Sequence, residues 1–331
     1  MNPSKINYDP NLNCYFLTVR GILLRQLDDR DVSLLWNQSG LIYEKMQDNI
    51  LFTPYFTSLS DSLSLYLNVE KKKQTEEDFS VFLQKIKERI LSGSTVLVYS
   101  DVFDLPHTLY YQKKHNNHAI EIYHVGNDEV EIVDHYYKFE GNMSISQLKF
   151  ALEKTNEKNN VSAFEFAYLD TTKAVSPDML PYLWDTLHFH RKIMNGKDPY
   201  DDEQHQKWYG MEAVEAFTRY IHHEVFEDGS NVDISYHGLK EYGGSKNNMA
   251  KICLDYGHLL EGLEELGRDY QHIANKVLTI ANMILKCFIS KNFDHYETRI
   301  MNKLQEWKED EEKATERLNA LFELHHYTLN T

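Results

Sequence analysis

The chain has 331 residues, a length that suggests two domains or one large one, and its 42% hydrophobic and 26% charged residues are typical of a soluble globular protein. Its net charge of −16 argues against nucleic acid as a partner, and its three cysteines are too few for a disulfide framework or a zinc site. The sequence shows neither a signal peptide nor an uninterrupted apolar run of about 18 residues, so we expect a cytoplasmic protein with no membrane partner.

The first half of the chain, residues 1–172, predicts a mixed domain whose sheet is largely antiparallel. The pattern places a solvated loop at the lysine run 71–73 and makes Thr75 the N-cap of the second helix. The expected elements, in chain order, are a helix from Cys14, a strand within 49–56, a helix over 75–93, a strand over 94–101, a hairpin over 118–134, a helix over 144–155 and a strand over 162–170.

The second half, residues 173–331, predicts an all-α helical domain. Ser176 is the expected N-cap of its first helix, with Pro177 at the first helical position. Four more amphipathic helices follow, and no further strand is expected. The histidines of this half lack a ligand spacing, so we expect neither a metal nor another cofactor.

The stretch HAIEIYHVGNDEVEIVD predicts a β-hairpin that turns at residues 126–128. A hairpin brings its outer ends together. His118 and Asp134 are therefore expected on neighbouring strands, close enough for a hydrogen bond.

Cys14 stands at the start of the first predicted helix. The amides and the partial positive charge at a helix N-terminus lower the pKa of a thiol. With His118 as the base and Asp134 orienting it, Cys14 would be the nucleophile of a Cys–His–Asp site. Taken singly, Cys14 also fits a packing residue, His118 a strand residue and Asp134 a turn cap.

Three stretches carry a resemblance to a known family. They are VLVYSDVFDLPH (96–107), the hairpin sequence and SISQLKFALE (144–153). Over residues 10–170 the chain resembles the butirosin biosynthesis protein H family, and the region also looks like the papain-like bacteriocin-processing cysteine peptidases. In the family pattern a strand ends in an aspartate, here Asp101, and Leu-Pro precedes His107. We therefore regard Asp101 and His107 as residues adjacent to the site. Tyr15 is a third, because it directly follows Cys14, where a smaller residue would leave the thiol more open.

The resemblance implies a papain-like N-terminal domain and an acyltransferase. Its donor would be an acyl or peptidyl carrier-protein thioester, and its acceptor a small-molecule amine in secondary-metabolite biosynthesis. Papain-like enzymes use an upstream glutamine as an oxyanion donor, and none lies near Cys14. Asn11 or Asn13, with the backbone amide of Cys14, would take that place.

Two other functions fit the same residues. A cysteine hydrolase or a cyclising release enzyme would differ only in what accepts the acyl group. A non-catalytic binding protein on a papain-like scaffold would leave Cys14 an ordinary thiol. Because the chain is acidic, docking of an acidic carrier would depend on a local basic patch such as Lys113 and Lys114.

Overall fold

A computed structural model of the chain describes residues 6–28, 32–45, 50–197, 206–227 and 232–325. In it the chain forms two compact units. Unit 1 comprises Met1–Val32 and Leu59–Pro177, and unit 2 comprises Ser33–Ser58 and Asp178–Thr331. The largest difference from the predicted boundary at residue 172 is that Ser33–Ser58 belongs to unit 2.

The regular elements of the described residues are numbered in chain order. The helices are α1 (Cys14–Leu24), α2 (Leu59–Leu67), α3 (Phe79–Leu91), α4 (Ile145–Asn159), α5 (Met179–Met194), α6 (Gly210–Tyr220), α7 (Val232–Asp255), α8 (Leu263–Ser290) and α9 (Phe293–His325). The strands are β1 (Ile42–Lys45), β2 (Ile50–Thr53), β3 (Glu70–Glu76), β4 (Val96–Asp101), β5 (Asn117–Val125), β6 (Glu129–Asp134), β7 (Phe139–Ser144), β8 (Phe164–Asp170) and β9 (Gln206–Tyr209).

Unit 1 is built on an antiparallel sheet in the order β3-β8-β4-β5-β6-β7. A hydrophobic core lies between this sheet and the helices α3 and α4. Phe82 of α3 and Leu148 of α4 are fully buried there, together with Val98 and Ile120 of the sheet. The predicted α+β character and antiparallel sheet are thus confirmed.

The predictions for residues 71–78 were wrong. The lysine run lies in the edge strand β3, where Lys71 pairs with Leu169, and is not a loop. Thr75 is in the same strand. Asp78 caps α3, and its carboxylate accepts the backbone N–H groups of Ser80 and Val81. An edge strand exposes long side chains to water, so its composition looks like that of a loop.

The sequence predicted an all-α second domain. Unit 2 is mostly helical, but that prediction was wrong. The unit contains the antiparallel sheet β2-β1-β9, and β9 lies in the half where no strand was expected. The side chain of Phe52 in β2 stacks on Phe217 of α6, with 4.0 Å between ring centroids. The four residues of β9 are too few to show a period of two, which is why the sequence pattern missed them.

One helix signal was also misplaced. Asp178, rather than Ser176, caps α5, so the helix begins after Pro177.

The α8 helix, Leu263–Ser290, is long and apolar enough to cross a membrane by length and composition, the one such helix in the described part of the chain. The core helix of a folded unit passes the same test, and Leu266, Ile273 and Ile280 of α8 are buried.

Candidate active site

The N-terminus of α1 holds Cys14. Asn13 is the N-cap, and its side-chain oxygen accepts the backbone N–H of Phe16 at 2.9 Å. One turn later, the hydroxyl of Thr18 donates to the carbonyl oxygens of Cys14 and of Ala119 in β5, at 2.9 and 3.2 Å. The start of α1 is thereby fixed against the strand that carries His118, and the Cys14 side chain remains partly exposed.

His118 and Asp134 are in contact, as the hairpin predicted. Nε2 of His118 lies 2.7 Å from Oδ2 of Asp134, and both side chains are buried. The strands bring them together because β5 and β6 pair antiparallel with a register shift between Ile122 and His124. The contact is confirmed, whereas a catalytic role for the pair stays a prediction.

The thiol of Cys14 lies close to the His118 ring, and each group shifts the pKa of the other. Since Nε2 of His118 is engaged by Asp134, Nδ1 is the nitrogen left for sulfur. Burial raises the pKa of the Cys14 thiol, but the hydrogen bond and charge of His118 and the backbone N–H of Ala119 outweigh it. The pKa of Cys14 therefore lies below its ordinary value.

The contact between Cys14 and His118 lowers the pKa of the thiol and raises the pKa of the imidazole. Burial lowers the pKa of His118, yet the hydrogen bonds and charges of Asp134 and Cys14 raise it to about 9. Both shifts act in the same direction, towards a thiolate beside an imidazolium. Asp134 supports this state because its pKa lies well below the usual range. Burial works against that depression, and the hydrogen bonds of His107 and His118 outweigh it.

Asp134 has its full complement of donors. Its Oδ1 accepts the backbone N–H groups of Tyr136 and Tyr137, at 3.1 and 3.0 Å. Its Oδ2 also contacts Nε2 of His107 at 2.9 Å. The structure therefore brings His107, predicted as site-adjacent, into direct contact with the carboxylate. The His107 ring stacks on Phe139, with 4.3 Å between centroids.

Asp101 is occupied elsewhere. Its carboxylate accepts the backbone N–H groups of Phe103 and Asn116 and pairs with Lys158 at 2.7 Å and with His115 at 3.0 Å. Burial opposes ionisation of Asp101, but these donors, led by Lys158, lower its pKa to about 2. The contacts fix the turn after β4 rather than His118, so the structure does not bring Asp101 into the site.

Tyr15 lies beside Cys14 in the first turn of α1. Its hydroxyl accepts a hydrogen bond from Nζ of Lys71 at 2.9 Å, and its ring stacks on Tyr99, with 6.1 Å between centroids. The two proposed oxyanion donors occupy the preceding loop. The backbone N–H of Asn11 donates to Asp9, and Asn13 is exposed. Which of the two faces an oxyanion stays a prediction.

A second buried network escaped the sequence reading. The carboxylate of Glu121 accepts two hydrogen bonds from Arg25, at 2.8 and 3.1 Å, and contacts Nε2 of His135 at 3.0 Å. Nδ1 of His135 accepts the backbone N–H of Asn7, so Nε2 carries the ring proton and donates to Glu121. The available signal was an acidic residue in the middle of an otherwise apolar strand.

This network attaches the C-terminal end of α1 to β5. Cys14 and Thr18 attach the N-terminal end of α1 to the same strand. Gly21 makes the approach possible, because a Cβ at this position would overlap the His135 ring. Burial opposes ionisation of Glu121, but the hydrogen bonds of His135 and Arg25 lower its pKa to about 2. The network thus holds the helix that presents Cys14.

The other two cysteines have the opposite environment. Cys253 and Cys287 are buried on helices of unit 2, and burial raises the pKa of Cys253 to about 12.

Among the residues the structure describes, no group of three or more His, Cys, Asp or Glu side chains is arranged to hold a metal ion. The chain matches no family model and no curated protein.

Proposed function

We propose that this protein is a cysteine-dependent acyltransferase that moves an acyl group from a thioester to an amine. The observation that carries the proposal is the buried contact of His118 with Asp134 beside Cys14, which starts a helix. The helix end and the buried imidazolium both favour the thiolate, which is the reactive form of cysteine.

In the first step the Cys14 thiolate attacks the carbonyl carbon of the donor thioester. The carbon–sulfur bond of the donor breaks, and His118 gives its proton to the departing thiolate. An acyl group is then held on Cys14 as a new thioester. The backbone N–H of Cys14, with Asn11 or Asn13 as the second donor, would stabilise the oxyanion formed on the way.

In the second step an amine attacks the acyl carbon, and His118, now neutral, takes the proton that the amine loses. The bond to Cys14 breaks, an amide leaves, and the thiolate–imidazolium pair is restored. Asp134 keeps the ring orientation through both steps, because its two oxygens are fixed by His107 and by backbone N–H groups.

The identity of the donor rests on the resemblance carried by residues 96–107 and the hairpin. We propose a papain-like scaffold, a carrier-protein thioester as donor and an amine of a small molecule as acceptor, in the assembly of a secondary metabolite. Exchange between thioesters is nearly neutral in free energy and amide formation is downhill, so the transfer requires no nucleotide.

The proposal is tested by acylation of the protein with a simple thioester, followed by intact mass. We expect one acyl group per chain, on the peptide that contains Cys14, and none in Cys14→Ser. Cys287→Ser is the matched control, since it removes a buried thiol and should be acylated like the wild type.

The fate of that acyl group separates the three functions. Release as an amide when an amine is added supports the transferase. Release as the free acid or as a cyclic product, whatever amine is present, would replace it with a hydrolase or a cyclising enzyme. If Cys14 takes up no acyl group from any thioester, the binding-scaffold interpretation stands instead.

A further inference from the structure

The strands β4 and β8 separate at one end of the sheet of unit 1. The β4 strand pairs with β5 along its whole length, but with β8 only at Val96 and Leu97. Beyond Leu97 a cavity of about 310 Å³ lies between the two strands. Leu152 and Thr155 of α4 line it from below the sheet.

Backbone polar groups border this cavity. The backbone N–H of Asp101 donates to the hydroxyl of Thr155, so the residues of β4 that alternate with Asp101 face this edge. Tyr99 is the next such residue, and its N–H and C=O have no ladder partner in β8. Across the cavity, Glu165 stands two residues before Ala167, the last residue of β8 that pairs with β4, and is itself paired with Thr75 of β3.

The side chains around the cavity are aromatic, aliphatic and amide groups. The rings of Tyr99 and Phe164 form part of its wall, and Asn117 and Asn156 add amide groups. The lining also includes Glu165, whose carboxylate pairs with Lys73 of β3. This surface of apolar, aromatic and amide groups suits an extended neutral chain with its own amides.

The cavity adjoins the cysteine. Tyr99, which lines it, stacks on Tyr15, the residue after Cys14. Asn117, which also lines it, precedes His118. Burial and the neighbouring Tyr15 and Cys14 raise the pKa of Tyr99.

We propose that this cavity binds an extended, amide-bearing arm of the acyl donor and so directs its thioester carbon to Cys14. This inference rests on the proposed function. The amides can stand on the thiol side of the thioester, as in pantetheine, or on the acyl side, as in a peptidyl group. Hydrogen bonds from the unpaired strand edges would recognise either arm in the same way.

The test compares rates of Cys14 acylation by three donors, measured by intact mass. The reference is S-acetyl-N-acetylcysteamine. The second donor, S-acetylpantetheine, is longer on the thiol side of the thioester. The third, an N-acetyl-dipeptidyl thioester of N-acetylcysteamine, is longer on the acyl side. We expect at least one longer donor to react about tenfold faster, the effect of one or two net hydrogen bonds.

Val161→Trp fills the cavity, and Val175→Trp is its matched control. Val161 lines the cavity and is 48% exposed, and Val175 is 52% exposed elsewhere in unit 1. We expect Val161→Trp to abolish the advantage of the longer donor without slowing the reference, and Val175→Trp to keep it. Equal rates for all donors, or an advantage that survives Val161→Trp, would overturn the inference and leave the transferase intact.

A binding experiment separates the cavity from the chemistry. Calorimetry with Cys14→Ala uses two unreactive probes, S-methylpantetheine and N-acetyl-dialanine methylamide. Binding that Val161→Trp weakens about tenfold supports the cavity even if no thioester acylates Cys14, an outcome that would remove the proposed function alone. Absence of binding by both probes overturns the inference.

Discussion

At the residue scale, the charge state of Cys14 depends on one neighbour. His118 supplies both the hydrogen bond and the positive charge that hold the pKa of the thiol down, while burial pushes it up. The imidazole in turn owes its raised pKa to Asp134 and Cys14. The three groups therefore titrate as a unit, and a change in one moves the others.

The first prediction concerns alkylation of Cys14 by iodoacetamide as a function of pH. The rate should reach half its maximum below the free-thiol pKa of about 8.5. In His118→Ala the midpoint should rise to that value or above, because burial then acts on the thiol without an opposing charge. Peptide mapping measures each cysteine, with Cys287 as the unreactive internal reference. Equal midpoints in the two proteins would refute the ion pair.

A second prediction concerns His107, which donates to the buried carboxylate of Asp134. His107→Phe keeps a ring against Phe139 but removes that donor. We expect it to lower the free energy of unfolding by about 1.5–3 kcal/mol, the range for a hydrogen bond to a charged group. His107→Gln retains an N–H donor and should lose less than half as much in urea denaturation. If the two variants are equally stable, the hydrogen bond contributes nothing.

At the element scale, α1 is attached to β5 at both of its ends. Cys14 and Thr18 meet His118 and Ala119 at the start, and Arg25 meets Glu121 at the end. A helix held at two points cannot slide along the strand, so the distance between thiol and imidazole is fixed by contacts on either side of it. The Glu121 network therefore positions the site without touching it.

A third prediction concerns Glu121→Gln. Glu121 is buried, so loss of its charge leaves Arg25 without its partner and should lower the free energy of unfolding by about 3–5 kcal/mol at pH 7. Glu129→Gln, an exposed change in the same sheet, should cost no more than about 0.5 kcal/mol. Equal losses in the two variants would show that the network does not stabilise the fold.

The same pair of variants gives a pH dependence with a definite sign. The pKa of Glu121 is about 2 when folded and 4.5 in its ordinary state, so the unfolded chain binds the proton more tightly. The stabilisation is complete above pH 4.5 and is lost as the pH falls towards 2, by roughly 3 kcal/mol in all. Denaturation at several pH values should show this slope reduced in Glu121→Gln and unchanged in Glu129→Gln.

At the scale of the whole molecule, the two units have separate polar interiors. In unit 2 the ammonium of Lys246 lies 3.0 Å from the carboxylate of Glu311, and both side chains are fully buried. Trp307 donates to the same carboxylate at 3.0 Å. Nothing in the proposed reaction uses this pair, which stabilises the packing of α7 against α9.

The fourth prediction follows from that burial. Lys246→Met should lower the free energy of unfolding by about 3–5 kcal/mol because it leaves Glu311 buried without its cation. The double variant Lys246→Met with Glu311→Met should recover part of the loss. Thermal unfolding measures both, and the pH midpoint of Cys14 alkylation should stay at its wild-type value. A shifted midpoint would show that the site depends on unit 2.

The sequence by itself determined the elements with a clear period and the residues that a hairpin must join. Alternation over 118–134 predicted the contact of His118 with Asp134, and a helix starting at Cys14 predicted the environment of its thiol. Both inferences are local, because a turn or a helix end follows from neighbouring residues. The role of these residues in acyl transfer stays a prediction.

Only the tertiary structure decided which distant residues join them. His107 reaches Asp134 across 27 positions, and Arg25 reaches Glu121 across 96, distances along the chain that no periodic pattern encodes. The placement of Ser33–Ser58 in unit 2 has the same cause, since β1 pairs with β9 from the far half of the chain. Pairing between strands depends on which edges meet in the folded chain, so it cannot be read from either strand alone.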